Sequence, residues 1–377
     1  GGFDGSTGLT GGSIESSGFT PSAEVLPVSS TLERYIGASN FSSITNGIRV
    51  LVSGMYRLKT NVQVNSASAI RGNLCVGFEI GGESFNTNNI VNPIASSFYA
   101  RRANGHFTTS GYTAGIYNLT ADDDVKVISE REGQNGTINL YHNQSYLEIV
   151  KINTPCAVKS HGDQTNFDIN SAASVTIPMD GTLHEFNGSG NFTSDVSGIK
   201  VNYSGIYKIS FNMFILTTSS SNQRWSFKMR FQKNGSDFQS AEASSFYIRN
   251  QSRHTMSSGY VSQYVELAAN DSLTIKSERD AIDLAGVYMW HLSGSTKYSS
   301  FMDIEKITDP VITCTGSESS TQYLNGNGWT LIKFSPISNE YNGSGYFTVQ
   351  SDGGIQVNSS GIYIISTNIA VKSTVQR

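Results

Sequence analysis

Apolar and polar residues alternate over short stretches along most of this chain. Val261, Tyr264, Val265 and Leu267 lead into a polar turn at Ala269-Asn270-Asp271, and Leu273-Thr274-Ile275 alternates out of it. Ile206, Ile209, Phe211, Met213 and Ile215 form a denser run of period-two character. Tyr207 and Phe214 read as its opposite phase, so both faces of that strand are expected to be covered. A period of two is the mark of a strand, because successive side chains point to opposite faces. No long stretch carries the apolar stripe of an amphipathic helix. The pattern predicts an all-β chain of short strands joined by Gly, Asn and Ser turns, as in a β-sandwich or jelly roll.

The pattern repeats about every 150 residues, the period of a whole domain rather than of a solenoid unit. Ser53-Gly54-Met55-Tyr56 returns as Ser204-Gly205-Ile206-Tyr207 and as Ser360-Gly361-Ile362-Tyr363. Upstream, Gly47-Ile48-Arg49-Val50 matches Gly198-Ile199-Lys200-Val201 and Gly354-Ile355-Gln356-Val357. Downstream, Ser96-Ser97-Phe98-Tyr99 matches Ser244-Ser245-Phe246-Tyr247, and Leu147-Glu148-Ile149 matches Met302-Asp303-Ile304. The expected organisation is a Gly/Ser-rich linker over 1–18, jelly-roll modules over 19–152 and 153–307, and the N-terminal part of a third module over 308–377. Pro-containing joints, Asn153-Thr154-Pro155 and Thr308-Asp309-Pro310, separate them. The third copy lacks counterparts to the later strands, so further strands are expected beyond Arg377 or from another chain. A start upstream of Gly1 is likewise expected.

Composition narrows the function classes. Charged residues are 15% of the chain, against roughly 25% in an average soluble domain, and the net charge is −4. No basic run is present, which argues against nucleic acid as a partner. No window of about 18 apolar residues exists, which argues against insertion of a helix into a membrane. Cys75, Cys156 and Cys314 are too few and too scattered for a disulfide framework or a zinc site, and are expected to be buried as small apolar residues.

A module resembles the trimeric jelly roll shared by the globular head of the first complement component and tumour necrosis factor. The signature of that family is a Gly-x-Tyr strand followed by a Leu-x-x-Gly-Asp-x-Val turn. Gly54 and Tyr56, Gly205 and Tyr207, and Gly361 and Tyr363 match its first part. Leu119 to Val125 and Leu267 to Leu273 match its second, with Asp123 and Asp271 at the acidic position. Asp122 and Asn270 stand where the family has Gly; both residue types tolerate a left-handed turn. The resemblance implies a homotrimer, and the modules are expected to stack along its axis.

Candidate chemistry is sparse. The six histidines, His106, His142, His161, His184, His254 and His291, form no metal or nucleophile motif. His106 aligns with His254, and His142 roughly with His291; ordinary packing or a hydrogen-bonded surface position is expected, with a framework role as the alternative. Asp122, Asp123 and Asp124 form the one acidic cluster, expected to be a solvated turn rather than a calcium site. Glu130-Arg131 and Glu278-Arg279 are expected on solvated strand faces, with ion pairs between subunits as the alternative. Asn-x-Ser/Thr sequons are frequent, among them Asn187, Asn191, Asn202, Asn342 and Asn358; Asn, Ser and Thr are so common here that many arise by chance, with glycosylation as the alternative.

The expected protein is therefore not an enzyme and uses no catalytic residue, cofactor or metal. It is expected to be a virion-surface structural protein: a fibre, a capsid decoration or a receptor-binding protein for host attachment. Its expected partners are itself, other virion proteins and a host-surface glycan or receptor. The alternative is a secreted adhesin or recognition protein of the complement-head type.

Overall fold

The structure is a computed structural model. It describes residues 9–13, 24–26, 28, 33–36, 38–66, 71–84, 96–101, 108–133, 138–140, 145–161, 167–169, 174–217, 224–238, 244–249, 256–279, 287–289, 300–314, 338–342, 345–351, 354–361, 363–365 and 367. Strands dominate them, as the alternation predicts. The fold is all-β and jelly-roll in type, with two facing antiparallel sheets in each full module.

Module one contains β1 (Leu9–Ser13), β2 (Phe41–Ile44), β3 (Gly47–Val50), β4 (Gly54–Ser66), β5 (Arg71–Ile80), β6 (Ser96–Arg101), β7 (Thr108–Leu119), β8 (Asp124–Gly133) and β9 (Tyr146–Ile152). Its inner sheet runs β7-β4-β9-β1 and its outer sheet β2-β3-β8-β5, with β6 also on β5. Module two repeats the plan with β10 (Cys156–Ser160), β11 (Leu183–Phe186), β12 (Phe192–Asp195), β13 (Gly198–Val201), β14 (Gly205–Thr217), β15 (Arg224–Lys233), β16 (Ser244–Arg249), β17 (Met256–Leu267), β18 (Ser272–Arg279) and β19 (Phe301–Ile307). Here β14 lies between β17 and β19, and β10 and β11 continue from β19. The outer sheet is β12-β13-β18-β15, with β16 on β15. Residues 308–377 contribute β20 (Val311–Cys314), β21 (Ser338–Tyr341), β22 (Phe347–Val349) and β23 (Ile355–Val357), paired as two hairpin-like ladders.

Two expectations need correction. The stretch 1–18 is not all linker, because β1 pairs with β9 from Leu9↔Val150 to Ser13↔Tyr146. Its Leu-Thr-Gly-Gly-Ser sequence shows no alternation, and the pairing is made by backbone groups that any residue but proline supplies. On β14, Tyr207 shares the core face with Ile209, Phe211, Met213 and Ile215, as its odd number requires. It is Ile206 and Phe214 that take the other face.

The repeat signature is a clasp between strand and turn. The Tyr56, Tyr207 and Tyr363 hydroxyls donate to the carbonyls of Val52, Tyr203 and Ser359, four residues back in each case. Each ring meets a Phe edge-on, Phe41, Phe192 and Phe347, at centroid distances of 5.9, 6.1 and 5.8 Å. The glycine two residues earlier leaves room for the same ring and, at Gly54 and Gly205, for a lysine arm. A Cβ on Gly205 would lie 3.1 Å from Lys306 Cε and 3.6 Å from the Tyr207 ring. Asp123 and Asp271 accept the backbone N–H of Thr120 and Ala268 at 2.7 and 2.8 Å. Ser53 and Ser204 accept the next turn N–H, from Ala121 and Ala269, and so tie the turn to the Gly-x-Tyr strand. Asp122 and Asn270 are left-handed at φ of 74° and 75°. The glycine of the upstream signature has a different cause: a Cβ on Gly198 would fall 1.7 Å from the Leu273 carbonyl oxygen.

Tyr56 and Tyr207 are buried in the two cores. The third copy makes the same tyrosine hydrogen bond and ring contact but has no such core among the described residues. Ile365 is 89% exposed, whereas Ile209 at the equivalent place is fully buried.

Candidate functional site: the face between modules

Modules one and two meet side by side, and the edge of module one lies on the outward face of the inner sheet of module two. End-to-end stacking of these two modules, expected from sequence, is not what the described residues show. The reason lies in the chemistry of β14 and β19. Their outward positions carry Lys208, Ser210, Asn212, Phe214, Phe301, Asp303 and Glu305, and all of these but Glu305 are buried rather than facing water.

At the centre Arg57 of β4 reaches across to β19. Its guanidinium donates to Asp303 at 3.1 Å and to Glu305. Ser210 also donates to Asp303 at 3.1 Å. Burial pushes the Arg57 guanidinium down, and the Glu305 and Asp303 carboxylates push it up by more. Burial in turn holds Asp303 above the usual carboxylate range, against the opposing pull of Arg57, Lys208 and the Ser210 hydroxyl. Removing one member of such a pair leaves the other charge stranded, at a cost of about 3–5 kcal/mol.

Beside this pair the rings of Tyr112 on β7 and Tyr260 on β17 lie 4.8 Å apart. On the far side Asn73 donates to the Met256 carbonyl at 3.1 Å, and Cys75 and Ile128 pack with Phe214 and Met256. Phe301, Cys156 and Val158 of module two join the core of module one. Lys208 is buried near Arg57 and Lys59, with its ammonium 5.8 Å from the Tyr264 ring.

The joints are built alike. The Asn187 amide donates to the carbonyls of Ile152 and Thr154 at 2.8 and 3.1 Å. The Asn342 amide donates to Ile307 and Asp309 at 2.9 and 3.1 Å. Asn202 and Asn358 likewise bond the Gly190 and Gly345 carbonyls. Four of the expected sequons therefore spend their amides on the backbone. The signal was in the sequence, since Asn187-Gly188-Ser189-Gly190 recurs as Asn342-Gly343-Ser344-Gly345.

Other candidate groups are dispersed. Glu278 pairs with Arg230 of its own module at 2.6 Å. Asp124 pairs with Arg49 at 2.7 Å, while Asp123 belongs to the turn. His161 is buried against the Pro178 carbonyl, at 2.6 Å from Nδ1. His106, His142, His254 and His291 lie outside the described residues. Cys75 and Cys156 are buried, and burial pushes the Cys156 thiol up. Among the described residues no group of three His, Cys, Asp or Glu side chains is placed to hold a metal.

No family profile matches the chain, and no curated protein matches it. Similar solved structures include murine APRIL at pH 8.0, with 16% identity and a TM-score of 0.26 over 39% of this chain and 99% of that one. Eiger TNF from S. frugiperda has 13% identity and a TM-score of 0.28 over 45% of this chain and 98% of that one. The PRD1 vertex protein P5 has 16% identity and a TM-score of 0.27 over 41% of this chain and 97% of that one.

Proposed function

We propose that this chain is a non-enzymatic structural protein of a virion surface, a fibre, decoration or receptor-binding component built from jelly-roll modules that associate in threes. The observation that carries the reading is the rigid coupling of successive modules. A three-residue joint, clamped by Asn187, and a buried Arg57–Asp303–Glu305 cluster leave little freedom between two self-contained cores. Rigid repetition of small cores suits a load-bearing surface element. Self-association, contact with other virion proteins and attachment to a host glycan or receptor follow as the working roles.

The test is physical co-purification. Particles from the source culture are banded on a density gradient and probed with antibody to this chain. Banding with capsid protein, and immunogold label on the particle surface, are the expected results. Recovery as free protein in the supernatant, from a gene lying beside a secretion signal rather than capsid genes, overturns the reading in favour of a secreted adhesin.

A further inference from the structure

The contact between modules one and two is one-way. Arg57 of module one rests on Asp303 and Glu305 of module two. The reciprocal contact would set Lys208 of module two, the equivalent of Arg57, on Glu148 and Val150 of module one. Instead Lys208 sits beside Arg57 and the Tyr264 ring, and Glu148 is held by Lys59 of its own module at 2.5 Å. A twofold axis requires both contacts, so this interface is heterologous, and repeated heterologous contacts make either a closed ring or an open helix.

The axis can be placed. Tyr112 and Tyr260 are equivalent residues, yet their rings touch at 4.8 Å. A residue meets its own equivalent only where the rotation axis passes beside it. Contact that close leaves no lumen, which favours the smallest ring that heterologous contacts can close, a ring of three. The chain supplies three copies of the repeat.

The joint between module two and the third copy is built like the joint between one and two. Asn342 clamps the second joint as Asn187 clamps the first. Phe186, just before the first clamp, packs against the buried cluster in which Cys156, Val158 and Phe301 join the core of module one. Its equivalent Tyr341 lies close enough to Glu266 on β17 of module two to feel its charge. On module one the matching face is open at Tyr146, while Val150 on it is buried. Tyr146 there is 38% exposed, while its equivalent Phe301, covered by module one, is 1% exposed.

We propose that the modules of this one chain close into a ring about a pseudo-threefold axis beside Tyr112 and Tyr260, with the third copy, residues 308–377, seated on the inner-sheet face of module one. The same operation that puts Arg57 on Asp303 and Glu305 puts Ile364 on Glu148 and Val150. The residue types agree with that seat. Arg57 meets the acidic Glu305, and the apolar Ile364 meets the apolar Val150. Ile364 is exposed among the described residues, and the seat on module one is what covers it. The ring does not depend on the virion reading, and the two fail separately.

The test uses the intact native polypeptide with Ile364→Cys and Glu148→Cys in a Cys314→Ser background, treated with a short bismaleimide. Cys75 and Cys156 are buried and do not compete. The expected product runs as one chain on a denaturing gel, in a yield unchanged by about 100-fold dilution, the behaviour of an intramolecular pair. A ladder of several chains, or no cross-link where a Tyr112→Cys, Tyr260→Cys control pair does cross-link, overturns the ring. Light scattering on the unsubstituted protein guards against a variant that does not fold. One chain per ring is expected, and three chains per particle joined through these faces refutes the proposal.

Discussion

Tyr112 and Tyr260 face each other at 4.8 Å although they hold the same place in two copies of one repeat. Aromatic pairs in such geometry are worth about 0.5–1.5 kcal/mol beyond their buried area. A double-mutant cycle on Tyr112→Ala and Tyr260→Ala, read by urea denaturation, should therefore return a coupling of about 1 kcal/mol. Simple additivity would mean that the rings do not meet in solution.

Arg57→Ala should destabilise the contact between modules by about 3–5 kcal/mol, because Asp303 and Glu305 are left buried without their cation. Replacing all three, with Arg57→Met, Asp303→Leu and Glu305→Leu, should recover most of that loss. A triple variant no better than Arg57→Ala would show that the charges are not partners.

In the second core Tyr207→Ala should cost about 3–5 kcal/mol, since the ring is fully buried against Phe192. Tyr207→Phe keeps the ring and loses only the hydroxyl bond to Tyr203 at 2.7 Å, a loss of about 1 kcal/mol. An unchanged melting temperature in Tyr207→Ala would refute the clasp.

Asn270 holds a left-handed conformation at φ of 75°. Asn270→Ala should cost about 1–2 kcal/mol, and Asn270→Gly should be neutral or slightly stabilising. Equal melting temperatures for the two variants would argue against the turn.

Lys208 gives the interface a pH dependence. Burial first, then the nearby Arg57 and Lys59 charges, depresses its ammonium well below the ordinary value of 10.5. Between that depressed value and 10.5 the unfolded chain binds a proton that the folded chain has released, so stability rises with pH across this window. Above about pH 10 unfolded tyrosines ionise before the buried Tyr112 and Tyr260, whose phenols burial holds up, and stability then falls. Lys208→Met should flatten the rise below pH 10 in a series of melting temperatures. A slope identical to that of the parent protein would place Lys208 in water.

The clasp is legible in the amino-acid sequence, because each of its parts has a local cause. Glycine makes room for the ring of Tyr207, Asp271 satisfies its own turn, and Asn270 tolerates left-handed backbone. These depend on neighbours a few residues away or on a turn that recurs with them. The face between modules is not legible in that way. Arg57 and Asp303 are 246 residues apart, and nothing in either local sequence names the other. The strand at Leu9–Ser13 escapes for a different reason: its pairing rests on backbone groups and leaves no side-chain pattern. Asn187 and Asn342 read as sequons because an amide that closes a joint and one that accepts a sugar carry the same three letters.

The clamped joints have a consequence for divergence. In an assembly of identical chains a change at one contact is made everywhere at once, so every interface must tolerate it. Here the equivalent places hold Arg57, Lys208 and Ile364, each free to change alone because each is encoded separately. Tandem copies thus release the interfaces from having to match one another, and a single polypeptide can carry differently specialised sides around one axis.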